Sequence, residues 1–112
     1  MATSKSPLLA PTLIPAVAAA ALTVPADHTY EITRIRLHNA QATWHIVTLW
    51  RVPNTGSASN TNRLYYLAVG PGQTAEIPTE LKLKTAGDAI HHVADTADKV
   101  SLSLEGFDED NS

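Results

Sequence analysis

At 112 residues the chain has length for one hydrophobic core and no second. Its 8 Lys and Arg against 11 Asp and Glu leave a formal net charge of −3, which excludes the basic footprint that a phosphate backbone requires. Cysteine is absent, which rules out disulfides, thiolate metal sites and thiol nucleophiles, so the fold must hold by packing alone.

Residues up to Pro15 carry Pro7, Pro11 and Pro15, and a helix passing through them would lose a hydrogen bond and meet a ring clash at each. The expectation is an extended N-terminal arm over residues 1–18, held by a neighbouring subunit. Lys5 ahead of the apolar run from Ala16 to Leu22 has the outline of a secretory signal. The run is weakly hydrophobic and broken upstream by proline, so neither a signal nor a membrane span, which needs ~20 apolar residues in a row, is expected.

Thr, Ala, Val, Ile and Leu dominate the rest of the chain, a composition that favours strands over surface helices. Ala19 to Val24 reads as a short first or edge strand stopped by Pro25. In the strand from Thr29 to Asn39, apolar side chains fall at Tyr30 and Ile32, then at Ile35 and Leu37. The alternation slips by one residue, which predicts a β-bulge near Thr33 and Arg34. Thr43 to Val52 is apolar on both parities, with Trp44, Ile46, Trp50 and Val52 on one and Val47 and Leu49 on the other. Such a strand is central, or turns one face to a partner chain.

Pro53 ends that strand, and the polar residues from Asn54 to Asn62 form a surface loop. Arg63 to Val69 resumes strand character, and Gly70-Pro71-Gly72 is a tight turn. Gln73 to Ile77 reads as a short strand cut by Pro78, Glu80 to Lys84 as another with Leu81 and Leu83 inward, and Ala89 to Ala94 as the next. The last has Val100, Leu102 and Leu104 on one face. About eight short strands with turn signals roughly every 8–12 residues give an all-β fold, one antiparallel β-sandwich or jelly-roll-like domain over residues 19–107. An acidic, solvated tail is expected over residues 108–112.

Chemistry-bearing constellations are scarce. The five histidines, His28, His38, His45, His91 and His92, are the only residues that suggest a metal. Adjacent His91 and His92 point to opposite faces of a strand, and no third ligand stands beside His38 and His45, so no metal site is expected. The acids fall in turns or on outward strand positions, and neither a nucleophile elbow nor a phosphate loop is present. The reading is a non-enzyme without cofactor. Trp44, Trp50, Tyr65 and Tyr66 cannot all fit one side of two strands, and an exposed aromatic anchors a protein contact or stacks on a sugar ring.

One resemblance adds to this. The run from Ala21 to Asn39 with its Val-Pro-Ala turn, then Thr48-Leu-Trp-Arg-Val-Pro53, Asn62-Arg-Leu, Val69-Gly-Pro-Gly-Gln-Thr74 and Leu83-Lys-Thr-Ala-Gly-Asp-Ala-Ile90, resembles a group of small tailed-phage virion proteins. The likeness covers roughly residues 20–105 and lies mostly in turns. Some members of that group are capsid decoration (cement) proteins and others belong to tail or fibre assemblies. The resemblance implies a virion protein on the capsid surface, without catalytic residues, whose partners are the major capsid protein and further copies of itself in a homotrimer. The expected interface residues are Leu13, Ile14, Val17 and Leu22 on the arm side, with Trp44, Trp50, Tyr65 and Tyr66 on the aromatic side. Nucleic acid and membrane are not expected partners. The alternative is a carbohydrate-binding module of a tail device, holding a glycan with Trp50, Tyr65 or Tyr66 and the loop from Asn54 to Asn62.

Overall fold

The computed structural model describes residues 2–111, with side chains from Pro7 onward. Runs of β-branched, aromatic and leucine residues separated by Pro, Gly and Asp turns become β1 (Ala2–Leu13), β2 (Ala19–Thr23), β3 (His28–Asn39), β4 (His45–Val52), β5 (Arg63–Val69), β6 (Thr74–Leu83), β7 (Ala89–Ala94) and β8 (Val100–Asp110). They form two antiparallel sheets, in the orders β1-β8-β3-β6 and β2-β7-β4-β5. This is the strand order of an eight-stranded jelly roll, a sandwich in which the chain passes repeatedly from one sheet to the other. Between the sheets lie Ile14, Val24, Ile32, Ile35, Leu37, Val47, Leu49, Val69, Leu83, Ile90, Val100, Leu102 and Leu104, all withdrawn from water. Among the described residues no helix is long and apolar enough to cross a membrane.

The bulge in β3 lies where the alternation slips. The ladders to β6 and β8 both shift register between Ile32 and Arg34: against β8 Thr33 is the extra residue, while against β6 it is β6 that carries one residue more, between Pro78 and Leu81. Ile32, Ile35 and Leu37 are therefore all fully buried. On β8 the bulge faces Gly106, over which β3 runs so closely that a Cβ would overlap the Glu31 carbonyl and sit 3.0 Å from the Ile32 Cα. Glycine is required there by the approach of backbone rather than by its own torsions.

Three expectations are corrected. Residues 2–13 are not an arm for another subunit but an edge strand of the chain's own first sheet, paired with β8 from Ala2↔Asp110 to Leu13↔Ser101. Proline excludes a helix but not an edge strand, whose outer N–H groups have no ladder partner to lose, and register shifts fall on either side of Leu9, next to Pro7 and Pro11. The connection to β2 is tied down as well: Ile14 N donates to Val100 O at 2.9 Å and Ala94 N to Pro15 O at 2.9 Å. Second, Pro78 does not separate two strands. It lies inside β6, an edge strand, opposite Arg34 at the bulge. Third, most of the acidic tail is the end of β8, where Asp108, Glu109 and Asp110 pair with Tyr30, Thr29 and His28. Met1 and Ser112, the outer ends of the expected arm and tail, lie outside the described residues.

Asn39 ends β3 at full burial. Its Nδ2 donates to the carbonyls of Thr43 at 2.8 Å and Val69 at 2.9 Å, while its Oδ1 accepts from Gln41 N at 2.9 Å. The side chain thus closes the β3–β4 turn and ties it to the end of β5.

Two substitutions test these local arguments. Gly106→Ala should destabilise the domain by about 3 kcal/mol, since backbone rather than a movable side chain blocks the methyl. Asn39→Ala should cost about 2–4 kcal/mol by leaving buried carbonyls without a donor. Urea denaturation read by tryptophan fluorescence measures both, and a change within about 0.5 kcal/mol in either would refute the corresponding account.

Candidate interface surfaces

The outward faces of the two sheets differ in chemistry. On the first sheet, cross-strand neighbours are charged or polar: Arg34 lies 3.9 Å from Glu105, Arg36 lies 3.7 Å from Glu76, and His38 Nδ1 is 2.8 Å from Thr74 Oγ1. A recess of about 330 Å³ among them is lined by Pro11, Arg36, His38, Thr74, Ser101 and Ser103. The strands of the second sheet carry no acid, and their only charged residues are Arg51 and Arg63. Its outer face presents Trp44, Ile46 and Thr48 along one line and Ala68 and Tyr66 beside them, through the pairs Ile46↔Ala68 and Thr48↔Tyr66. Trp44 continues the line over Gly70, where a Cβ would come within 3.1 Å of its ring. Trp44 is 61% exposed, Tyr66 62% and Ile46 37%. Behind them an open recess of about 220 Å³ is lined by Ile46, Thr48, Tyr66, Val93, Ala94 and Asp95.

The eight residues expected at an interface separate accordingly. Ile14 and Leu22 are corrected: they belong to the chain's own core, turned inward because Ile14 is bonded to the β7–β8 turn and Leu22 pairs with Ile90. Tyr65 is corrected in part, being partly buried against the core while the next residue, Tyr66, faces out. Leu13, the last residue of β1, and Val17, on the β1–β2 connection, are exposed. Trp50 is half-buried. The structure therefore brings together Trp44 and Tyr66 and adds Ile46, which sequence reasoning marks only as an apolar position of β4. A signal for it is present: Ile46 shares its parity with Trp44, and Val47 and Leu49 already supply the other parity with a core face.

Three of the five histidines, His28, His38 and His45, serve strand ends, and His91 and His92 lie in the middle of β7. His28 Nδ1 stands 2.6 Å from Asp108 Oδ1, joining the start of β3 to the end of β8. That hydrogen bond lifts the His28 imidazole above its ordinary 6.5 against the opposing effect of desolvation, and the charges of Asp108, Asp110 and Asp27 add to it. Burial raises the nearby Tyr30 phenol, with Asp108 acting in the same sense. His45 Nδ1 lies 2.9 Å from Asp95 Oδ1 and its Nε2 3.3 Å from Thr43 Oγ1. Burial alone would raise the Asp95 carboxyl, but hydrogen bonds from His45 and from the backbone at Ile46 and Thr96 hold it below its usual value. His92 is buried with Nδ1 unpartnered, and burial, with His91 beside it, pushes its pKa down. Among the described residues no group of three His, Cys, Asp or Glu is placed to hold a metal ion.

No family model and no curated protein matches the chain. Among solved structures, it is similar to a chain in the structure of infectious bursal disease virus Gt strain, at 10% identity and a TM-score of 0.40, over 96% of this chain and 32% of that one. A chain of the Gx strain is similar at 11% identity and a TM-score of 0.40, over 96% of this chain and 30% of that one. This chain thus spans about a third of the length of those chains.

The His28–Asp108 contact makes a prediction with a definite sign. A histidine whose folded pKa is raised adds stability that is complete below its unfolded pKa of 6.5 and is lost as the pH rises through the folded value. His92, whose pKa is lowered, works the other way and removes stability as the pH falls below 6.5. The difference in urea midpoint between the unsubstituted protein and His28→Gln isolates the first effect: it should be largest in mildly acid solution and shrink towards alkaline pH. A difference that stays flat across that range would show that His28 does not titrate against Asp108.

Proposed function

We propose that this chain is a structural virion protein, a capsid decoration subunit that seats the outer face of its second sheet on the major capsid protein and so stabilises the head shell. The observation that carries this reading is the contrast between the two outer faces. One carries Arg–Glu pairs and hydroxyls, with Leu13 and Phe107 the large apolar side chains exposed on its strands. The other exposes Trp44 and Ile46 along β4 and its entry, with Tyr66 on the neighbouring β5, and its strands carry no acid. A contiguous apolar line rimmed by polar loops marks a protein contact, and aromatic anchors are what such contacts use. The resemblance of the turns to small tailed-phage virion proteins supplies the class of partner. Of the two contacts expected, the arm and the aromatic strand, this reading keeps the aromatic one, because residues 2–13 pair with β8 of the same chain.

The test uses phage heads that lack this chain, with the purified protein added back and bound protein measured after sedimentation. Each large apolar anchor is worth about 1.5–3 kcal/mol when withdrawn from water, so the double variant Trp44→Lys, Ile46→Lys should bind at least about tenfold more weakly with its circular dichroism unchanged. Glu76→Lys, on the opposite face, should bind as the original does. Equal binding of the double variant, or imaging that finds the chain in the tail, would overturn the proposal.

A further inference from the structure

We infer that the recess on the outer face of the first sheet is a binding site for a small acidic sugar, a single ring bearing one carboxylate or phosphate, with the anionic group against Arg36. This goes beyond the capsid reading and does not depend on it, since it uses the opposite face of the sandwich.

The site follows from register. Ile35 and Leu37 are buried, so Arg36 and His38, on either side of Leu37, project outward from β3. In the same way Leu102 and Leu104 turn inward and leave Ser101 and Ser103 outside on β8. The ladders then set two rows across three strands, Ser103, Arg36 and Glu76 in one and Ser101, His38 and Thr74 in the next. No register shift falls in this stretch of either ladder, because the shifts along β3 lie between Ile32 and Arg34. Beyond β8, β1 carries one residue more than its partner between Leu9 and Thr12, and Pro11 in that bulge walls the recess. The volume of about 330 Å³ is at the small end of the ~300–1,000 Å³ that small-molecule sites occupy.

The lining gathers hydrogen-bond donors around one cation. Arg36 approaches Glu76 through Nε at 3.7 Å, longer than a hydrogen bond, which leaves its terminal nitrogens for a bidentate partner. Among the described residues no protein group is bonded to the hydroxyl of Ser101 or Ser103. His38 Nδ1 and Thr74 Oγ1 share one hydrogen at 2.8 Å, and either arrangement leaves the pair a donor. If the hydroxyl donates, the neutral ring carries its hydrogen on Nε2; if Nδ1 donates, the hydroxyl hydrogen is free. Among the described residues no acid lines the recess. Such a set is matched by an oxyanion.

Size and surroundings narrow the ligand further. Hydroxyls accept as well as donate, so Ser101, Ser103 and Thr74 suit a partner rich in hydroxyls of its own. The only apolar side chain in the lining is the Pro11 ring, enough for one C–H face of a sugar and too little to draw an apolar molecule out of water. Glu76 closes the Arg36 row, Glu105 pairs with Arg34 in the row beyond, and the chain carries a net charge of −3. A polyanion is repelled by that surround, while a molecule with one anionic group is not.

Titration of the full-length, isotope-labelled protein followed by NMR tests the site, with glucuronate, glucose 6-phosphate, glucose and inorganic phosphate as probes. At least one of the two acidic sugars should shift the amides of Thr74, Ser101 and Ser103 and saturate with a dissociation constant of about 1 mM or tighter, and the tighter of the two identifies the oxyanion. Glucose, which lacks the charge, and inorganic phosphate, which lacks the ring, should each bind at least about tenfold more weakly. Arg36→Gln should weaken binding at least about tenfold, whereas Glu76→Gln, which removes the competing carboxylate, should tighten it about twofold to threefold. Opposite signs at adjacent positions separate a built site from a folding defect. Arg51→Gln, which removes the same charge from the second sheet, should leave binding unchanged. No saturable shift with either acidic sugar up to about 20 mM, inorganic phosphate binding as tightly as the sugars, or an Arg36→Gln variant that binds as the original does would overturn the inference. Shifts confined to Trp44, Ile46 and Tyr66 would place the sugar on the other sheet and overturn it as well. Head binding does not use this recess, so its failure refutes the capsid proposal alone, and failure to bind sugar refutes this one alone.

Discussion

Asn39 stands where the chain leaves the first sheet for the second, at a point closed to water, and its amide is the junction on which the sandwich is aligned. Burying a primary amide is unfavourable unless nearly all of its hydrogen-bonding capacity is used. Here Nδ2 serves two carbonyls, on Thr43 and Val69, Oδ1 receives Gln41 N, and the backbone N–H of Asn39 donates to Gln73 O at 3.0 Å. Only one placement of the β3–β4 turn against the β5–β6 turn meets all four. Hydrophobic burial holds the sheets together but is indifferent to small slides between them, so directional bonds at this corner set the register in which β4 and β5 lie over β3 and β6.

From that corner alternation determines the rest. With His45 buried and bonded to Asp95, the inward parity of β4 is that of Val47 and Leu49, and Trp44 and Ile46 are left outside. The sequence alone does not decide this, because both parities of β4 are apolar and either would make a core face. A pair of polar anchors distant in sequence decides it, Asn39 with Val69 and His45 with Asp95, neither visible in a periodicity. The bulge in β3 is the opposite case. Its cause is the local spacing of Ile32 and Ile35, so the slip is legible directly, although its counterpart Gly106 is not, since the requirement there comes from the backbone of another strand.

The two ends of the chain depart from expectation for one physical reason. Proline at residues 7, 11 and 15 and acids at 108–110 are disfavoured in the interior of a sheet, and composition therefore places them outside the domain. At the margins both are tolerated. β1 is an edge, where a missing outward N–H leaves no ladder bond unmade, and the end of β8 brings Asp108 to His28. Pro78 within β6 repeats the lesson. Composition rules describe the middle of a sheet, and in an eight-stranded sandwich half of the strands are edges.

That arithmetic also explains why the surface is so uneven. A jelly roll cannot remove its edges by closure, so each must be defended separately, and proline, charge and brevity are costly to the strand that carries them. The first sheet accepts those costs on both of its edges and on its outer face, where Arg–Glu pairs cover the pleat. The second sheet concentrates β-branched, aromatic and leucine residues, gains the stronger strand propensity, carries register shifts on both of its edges, and is left with one apolar face.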